Sequence, residues 1–197
     1  MVLFGGPGVM LLGIVIAFAV FGVLTAITHR RLGWDRSLGL FGLLWSVAVL
    51  FVITLVPTSG VPRYIPPELA QTRCSLDYGG PAPDGFWIIR GGQRMLNVLV
   101  FMPSGILLAW TLSRFRHGLA WLLPALAALI GCSVLIELIQ LKAIQLGRAC
   151  DVTDMVDNAT GAVLGVLVGL VLVGIIAGVR RLRRGSARST GARGAVG

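Results

Sequence analysis

The residues best suited to chemistry lie in one stretch, where apolar sequence of membrane length is interrupted by ionisable groups. Positions 137 to 165 read ELIQLKAIQLGRACDVTDMVDNATGAVLG. Glu137 and Asp154 are candidate acids, bases or proton carriers. Arg148 is a candidate anion ligand, because its planar guanidinium can hold two anionic oxygens at once. A charged side chain costs at least about 2.5 kcal/mol at the centre of a membrane helix, so such residues are usually paired or functional. We therefore expect a polar site between two hydrophobic helices.

Helical spacing gathers the polar residues of this stretch into two stripes, because positions three and four apart share a helix face. The first stripe is Ser133, Glu137 and Gln140, and the second is Asp154, Asn158, Gly161 and Gly165. The two glycines should let a neighbouring helix come close. Asp151 suits the N-cap of the second helix, where a carboxylate accepts amide hydrogens. Carboxylates could also bind a hard divalent cation, but no recognised metal motif is present, and we predict no metal site.

A third polar element precedes these two stripes, in the segment NVLVFMPSG that runs from Asn97 to Gly105. Pro103 inside an apolar span predicts a kink, and Ser104 or Gly105 could accommodate the freed backbone. We assign Pro103 and Gly105, with Gly161 and Gly165, to helix packing. Asn97 should lie at the same membrane depth as the two stripes. We expect it to hydrogen-bond Glu137 or Asn158.

The elements that must position these residues are membrane helices. The chain of 197 residues is 56% hydrophobic and 13% charged, and its mean hydropathy is +0.88, whereas an ordinary soluble domain is about a quarter charged. About 20 apolar residues cross a bilayer, so the length allows five or six helices. We predict one all-α membrane domain and no separate soluble domain.

Five apolar runs can be assigned to spans, at about 9–27, 38–56, 95–112, 119–139 and 156–179. The first run is followed, not preceded, by basic residues, so we interpret it as a retained helix and not as a signal peptide. The connection 57–94 is rich in Pro and Gly and should contain segments at the membrane interface, with Trp87 as an anchor. The Gly, Ser and Arg content of 180–197 predicts a disordered basic tail.

Positive charge is unevenly divided between the two ends of the predicted bundle. Eleven of the 17 Lys and Arg fall on the side of the C-terminus and six on the other. Cytoplasmic loops hold an excess of these residues, so we predict an outside N-terminus and a cytoplasmic C-terminus. The net charge of +9 is then explained by anionic lipid, and no nucleic-acid partner is expected.

This orientation places two of the three cysteines outside the cytoplasm. Cys74 and Cys150 fall in the two extracytoplasmic connections, where disulfides persist, so we predict that they form a bridge. Cys132 falls inside the fourth span and is explained as a small buried apolar residue.

The combination of these residues resembles the VanZ-like membrane proteins, a family named for a teicoplanin-resistance protein. The likeness covers about 70 residues and rests on Asn97, Phe101, Pro103, Gly105, Glu137, Gln140, Arg148, Asp151, Asp154, Asn158, Gly161 and Gly165. The resemblance implies a multi-pass protein of the cell envelope, in some members associated with antibiotic resistance towards teicoplanin, a lipid-tailed glycopeptide. It implies no defined reaction. Arginine-rich composition with abundant Ala, Gly and Val also favours a bacterial plasma membrane.

Our leading functional hypothesis is that the polar residues bind an amphiphile with an anionic head. Chemical processing of the bound amphiphile is compatible with this hypothesis but is not required by it. Its partner would be a membrane lipid or a lipid-linked cell-wall component. Arg148 would hold the anion and Glu137 and Asp154 would react, with orienting roles for Gln140, Asp151, Asn97 and Asn158. One alternative is a non-catalytic scaffold or subunit in which the same residues only lock helices together. Transport is less favoured, because the five spans show no repeated half. The sequence makes no prediction about a cofactor or an oligomeric state.

Overall fold

Five long helices make up most of the chain. The computed structural model describes residues 5–57, 71–78, 92–142 and 150–193. The helices are α1 (Pro7–Leu32), α2 (Trp34–Leu55), α3 (Gly92–Leu112), α4 (Leu122–Lys142) and α5 (Val152–Arg193). All five are long and apolar enough to cross a membrane. In these described ranges no strand occurs, only an isolated bridge between Ser75 and Asp151. The prediction of an all-α bundle with five membrane helices is confirmed, and the orientation of its termini stays a prediction.

The helices extend beyond the apolar runs that predicted them. α1 continues through His29, Arg30 and Arg31 before it ends at Leu32, because arginine is a good helix former and charge alone does not end a helix. A single residue, Gly33, then separates α1 from α2. Its φ of 80° lies in the left-handed region that favours glycine. The chain therefore reverses at this end without a loop.

The C-terminal tail differs from its prediction. Residues 180–193, which we expected to be disordered, continue α5 without a break. Leucine, alanine and arginine are good helix formers, and no proline interrupts the hydrogen bonding of this segment. The disorder prediction relied on composition, which reports how little apolar surface a segment can bury. Composition says less about whether a helix already formed in the membrane will continue past it.

The connection between α2 and α3 is described at residues 71–78, which form a short extended segment bound to the start of α5. Ser75 donates its N–H to the Cys150 carbonyl at 3.0 Å, and Val152 donates to the Ser75 carbonyl at 2.9 Å. The predicted anchor Trp87 and the rest of the predicted interfacial segments lie outside the described residues.

The centre of the bundle is the pair α3 and α5, which run parallel and share the most extensive helix contact among the described helices. Glycine makes this possible, since a Cβ on Gly161 would overlap the Val98 carbonyl and one on Gly165 would overlap the Met102 carbonyl. Gly105 of α3 lies in the same way against the backbone of α5 at Ala162. The predicted packing glycines thus lie at one close helix crossing.

The remaining helices cover this pair. Leu50 of α2, Phe101 of α3 and Ile136 of α4 are almost completely buried and join the apolar core. α1 packs against α2, where Trp45 donates its indole N–H to the Ile14 carbonyl at 3.3 Å. Pro103 lies inside α3 with its side chain exposed on the outside of the bundle. It therefore does not line a site, and the kink that we expected there stays a prediction.

Candidate functional site

The polar residues singled out by spacing meet at one end of the bundle, where α3 and α5 begin and α4 ends. We call this group the polar cluster, and its members are Asn97, Ser133, Glu137, Gln140, Asp151, Asp154 and Asn158. Ser133, Glu137, Gln140 and Asn158 are buried, and the other three are half-buried. By the predicted orientation this end is extracytoplasmic.

Glu137 couples the end of α4 to the start of α5. Its side chain is 2% exposed, and its Oε2 accepts a hydrogen bond from the Asp151 N–H at 3.2 Å. The Asp151 carboxylate in turn accepts the Thr153 N–H at 2.8 Å, which is the capping role predicted for it. Both carboxylates thus lie at the N-terminal turn of α5, where backbone N–H groups donate to them. This is the physical reason that a carboxylate can be retained at this depth.

Asp154 lies on the opposite side of the cluster, against α3. Asn97 donates its Nδ2–H to Asp154 Oδ1 at 2.7 Å, so our expectation that Asn97 bonds Glu137 or Asn158 is wrong. The reason is the register between the two helices, which places Val98 beside Gly161. Helical side chains point back towards the N-terminus, so the Asn97 amide reaches outward to Asp154.

The two predicted stripes do face each other. Asn158 of α5 donates its Nδ2–H to the Ser133 hydroxyl of α4 at 2.9 Å, and this pair is buried. Gln140 adds a contact that spacing did not predict, since its Nε2–H donates to the Thr54 carbonyl near the end of α2 at 3.0 Å. α2, α4 and α5 are therefore joined at this end by side-chain hydrogen bonds.

An ion pair beside the cluster was missed by sequence reasoning. Arg94 binds both carboxylate oxygens of Asp157, at 2.9 and 3.1 Å. Its guanidinium also donates to the Tyr78 hydroxyl at 2.7 Å. The Asp157 side chain is 8% exposed and that of Arg94 is 43% exposed, so the arginine leads from the buried network to the surface. The sequence did contain a signal for this pair, because Arg94 lies three positions before Asn97 and Asp157 directly precedes Asn158.

The disulfide between Cys74 and Cys150 is present, with 4.7 Å between the Cα atoms. The Gln71 side chain also holds both backbone polar groups of Cys150, accepting from its N–H at 2.7 Å and donating to its carbonyl at 2.9 Å. These contacts fix the residue that precedes Asp151. Cys132 is a free thiol and half-buried. The segment 71–78 therefore holds the start of α5 in place beside Glu137.

The predicted anion ligand Arg148 lies outside the described residues. Within the ranges that are described, no group of three His, Cys, Asp or Glu side chains is arranged to hold a metal ion. What the described cluster offers chemically is three carboxylates, three amide side chains, one hydroxyl and the N-terminal turn of α5. Such a set can bind hydrogen-bonding groups and transfer protons.

Comparison with known proteins places this arrangement in a family. Searches against curated proteins and against solved structures each give no match. The sequence model of the family described as VanZ/LLP1 matches residues 43–173. That interval is more than half of the chain and contains every member of the polar cluster together with both bridged cysteines. The chain therefore belongs to the VanZ/LLP1 family.

Proposed function

We propose that this VanZ/LLP1-family protein binds an amphiphile with an anionic head at the polar cluster, on the outer side of a bacterial plasma membrane. The observation that carries this proposal is Glu137, a carboxylate that is 2% exposed within a helix long and apolar enough to cross a membrane. Ionisable residues at such positions are costly and commonly mark a functional site.

The surroundings of Glu137 suit the head of a lipid better than a free solute. Apolar helix surface adjoins the cluster, where Leu99 of α3 is 43% exposed and Leu138 of α4 is 47% exposed. Above it, the half-exposed Arg94 presents cationic donors beside the N-terminal turn of α5. A molecule with an anionic head and an acyl tail would meet both surfaces at once. We assign Arg148 to the same anion, as the sequence suggests.

The roles within the cluster follow from the hydrogen bonds. Asn97 orients Asp154, Asp151 presents its backbone N–H to Glu137, and Gln140 and Asn158 hold the neighbouring helices. A chemical step, if the bound head is altered, falls to Glu137 and Asp154 as proton donor and acceptor. For members of this family that act on teicoplanin sensitivity, a lipid-tailed glycopeptide or the envelope lipid that it meets is the corresponding ligand.

The second candidate function is a membrane scaffold, and two observations favour it. The Asn158–Ser133 bond is fully buried, and the Gln140–Thr54 bond connects a side chain to helix backbone. Interhelical bonds of this kind hold membrane bundles together without any ligand. The two candidates make opposite predictions for conservative substitution of the carboxylates.

The experiment is to compare Glu137→Gln and Asp154→Asn with the wild type in cells that lack the chromosomal copy. Both substitutions remove charge while they keep shape and hydrogen-bonding capacity. Asp77→Asn is the matched control, because Asp77 is an exposed carboxylate at the same end of the bundle. Membrane abundance, envelope lipids and lipid-linked cell-wall precursors would be measured in each strain, together with teicoplanin susceptibility.

We expect the two cluster variants to be present at wild-type abundance and to give the lipid or precursor profile of the strain without the protein. The control should give the wild-type profile. Loss of both variants from the membrane would favour the scaffold. A wild-type profile with either variant at normal abundance would exclude that carboxylate from the function.

A further inference from the structure

A second group of polar residues lies at the opposite end of the bundle from the polar cluster. Within the described part of the chain, three buried side-chain polar atoms lack a hydrogen-bond partner, namely Ser37 Oγ, Thr111 Oγ1 and Arg114 Nε. Ser37 belongs to the first turns of α2, and Thr111 and Arg114 stand at the end of α3. A buried polar group without a partner costs about 1–3 kcal/mol. Of the three, Arg114 is charged and can only donate, so its Nε–H indicates a missing acceptor.

Thr111 and Arg114 contact the start of α2 across one helix crossing. A Cβ on Gly39 of α2 would lie 3.1 Å from the Thr111 hydroxyl and 3.4 Å from the Trp110 ring. Arg36 of α2 donates its Nε–H to the Arg114 carbonyl at 3.1 Å. The start of α2 and the end of α3 therefore form a single surface, which carries two arginines.

Arg114 is held in place on this surface, although its Nε–H has no hydrogen-bond acceptor. Its guanidinium lies 3.9 Å above the Trp110 ring, an arrangement that fixes the plane of the charged group. Its side chain is 14% exposed, and its nearest carboxylate is that of Asp35 at 3.7 Å from Nη1. The Asp35 side chain is 65% exposed, so this ion pair is weak and readily exchanged. An oriented arginine with free donors suits an anion that has several oxygens.

We propose that this group binds the phosphate of an anionic phospholipid, in the leaflet opposite to the polar cluster. The phosphate lies beside the Arg114 guanidinium, where the Nε–H lacks an acceptor and the Asp35 carboxylate is readily displaced, and its oxygens accept hydrogen bonds from that guanidinium. Arg36, which lies over the Phe115 ring at 5.7 Å, supplies the second positive charge. By the predicted orientation this leaflet is cytoplasmic, where anionic lipids bind basic pockets between helices.

Depth in the membrane favours a lipid as the source of this phosphate. The arginines of this site lie where α2 begins and α3 ends. The surface of α2 next to them is apolar and faces outward, since Leu38 and Leu44 are exposed. A phospholipid can place its chains along that surface while its phosphate reaches Arg114. Free phosphate would gain the same polar contacts but none of the apolar ones.

The test uses the purified full chain in a neutral detergent, with bound lipid counted by native mass spectrometry and thermal unfolding followed during titration. The probes are phosphatidylglycerol, phosphatidylcholine and inorganic phosphate. Arg114→Gln removes the central charge. Arg116→Gln is the matched control, because it removes an exposed arginine two positions further along the same end.

We expect phosphatidylglycerol to bind and to raise the unfolding temperature of the wild type and of Arg116→Gln. Its affinity for Arg114→Gln should fall at least about tenfold, since a charge-assisted hydrogen bond is lost. Equal affinities of the two arginine variants for phosphatidylglycerol would overturn the site, as would equal binding of phosphatidylcholine. Equal protection by inorganic phosphate would overturn the lipid assignment.

A second variant keeps the test valid if Arg114→Gln does not fold. Arg36→Gln removes the second positive charge of the site from an exposed side chain of α2. Its unfolding temperature without lipid should stay close to that of the wild type, because substitution of an exposed side chain changes stability little. Its affinity for phosphatidylglycerol should nevertheless fall about fivefold, since one cation near the anionic lipid is lost. Wild-type lipid affinity in this variant would overturn the site.

Discussion

Adding one methyl group at Gly161 should separate the two helices that carry Asn97 and Asp154. A Cβ built on Gly161 lies 2.8 Å from the Val98 carbonyl carbon and 2.9 Å from the Val98 Cα, whereas carbon atoms pack at about 3.5–4.0 Å. These neighbours are backbone atoms of α3 and cannot rotate away. The helices must therefore move apart by about 0.7 Å or more at this level to restore ordinary contact.

Two opposing effects decide the size of the loss. Overpacking of a tight interface costs about 1–3 kcal/mol, while replacing glycine by alanine inside a helix gains up to about 1 kcal/mol. We expect Gly161→Ala to lower the free energy of unfolding by about 1–2 kcal/mol, because the contact atoms are rigid. At about 2–4 °C per kcal/mol for a chain of this size, Tm should fall by about 2–8 °C.

Gly174→Ala is the matched control on the same helix, because a Cβ there meets nothing within 4 Å. It retains the gain in helix propensity without the overlap, so its Tm should equal or exceed that of the wild type. Thermal unfolding of both variants in the same detergent would be followed by circular dichroism. Equal Tm values for the two variants would refute the assigned contact between Gly161 and α3.

Two further predictions concern the other constraints at this end of the bundle. Cys74→Ser should lower the free energy of unfolding by about 2–4 kcal/mol, since it opens a loop that spans 76 residues. The control Cys132→Ala removes a free thiol and should change Tm much less. Equal losses of Tm in the two variants would contradict the role of the disulfide. Arg94→Gln should lower Tm, because it leaves the Asp157 carboxylate without its bidentate partner. Arg94→Lys keeps the charge but not the fork, so its Tm should fall between those of the wild type and Arg94→Gln, and a Tm below both would contradict this reasoning.

The helices and the faces of the site could be predicted because they depend on properties of single segments. Hydropathy locates a span by its length, and a period of 3.6 residues decides which side chains share a face. The facing pair Ser133 and Asn158 follows from those two facts, together with the antiparallel connection of α4 and α5. Asp151 at the N-cap follows from local capping chemistry.

The individual bonds could not be predicted, because they depend on how far one helix is shifted along another. Asn97 reaches Asp154 only because the glycine contacts set the register between α3 and α5. The same register brings Arg94 to Asp157. Spacing within a helix carries no information about that shift. The bond from Gln140 to Thr54 likewise depends on where the end of α2 lies.

The constraints on the polar cluster are unequal, and this affects how Glu137 would respond to a ligand. α3 and α5 are locked by close backbone contact at the glycines and by the pairs Asn97–Asp154 and Arg94–Asp157. α4 packs less extensively against α5 than α3 does. Glu137 is therefore carried by the less constrained helix, while its hydrogen-bond donor, the Asp151 N–H, is fixed by the disulfide at Cys150. A shift of α4 would break the hydrogen bond between Glu137 and the Asp151 N–H before any contact between α3 and α5, so this bond is the contact of the cluster most sensitive to a bound ligand.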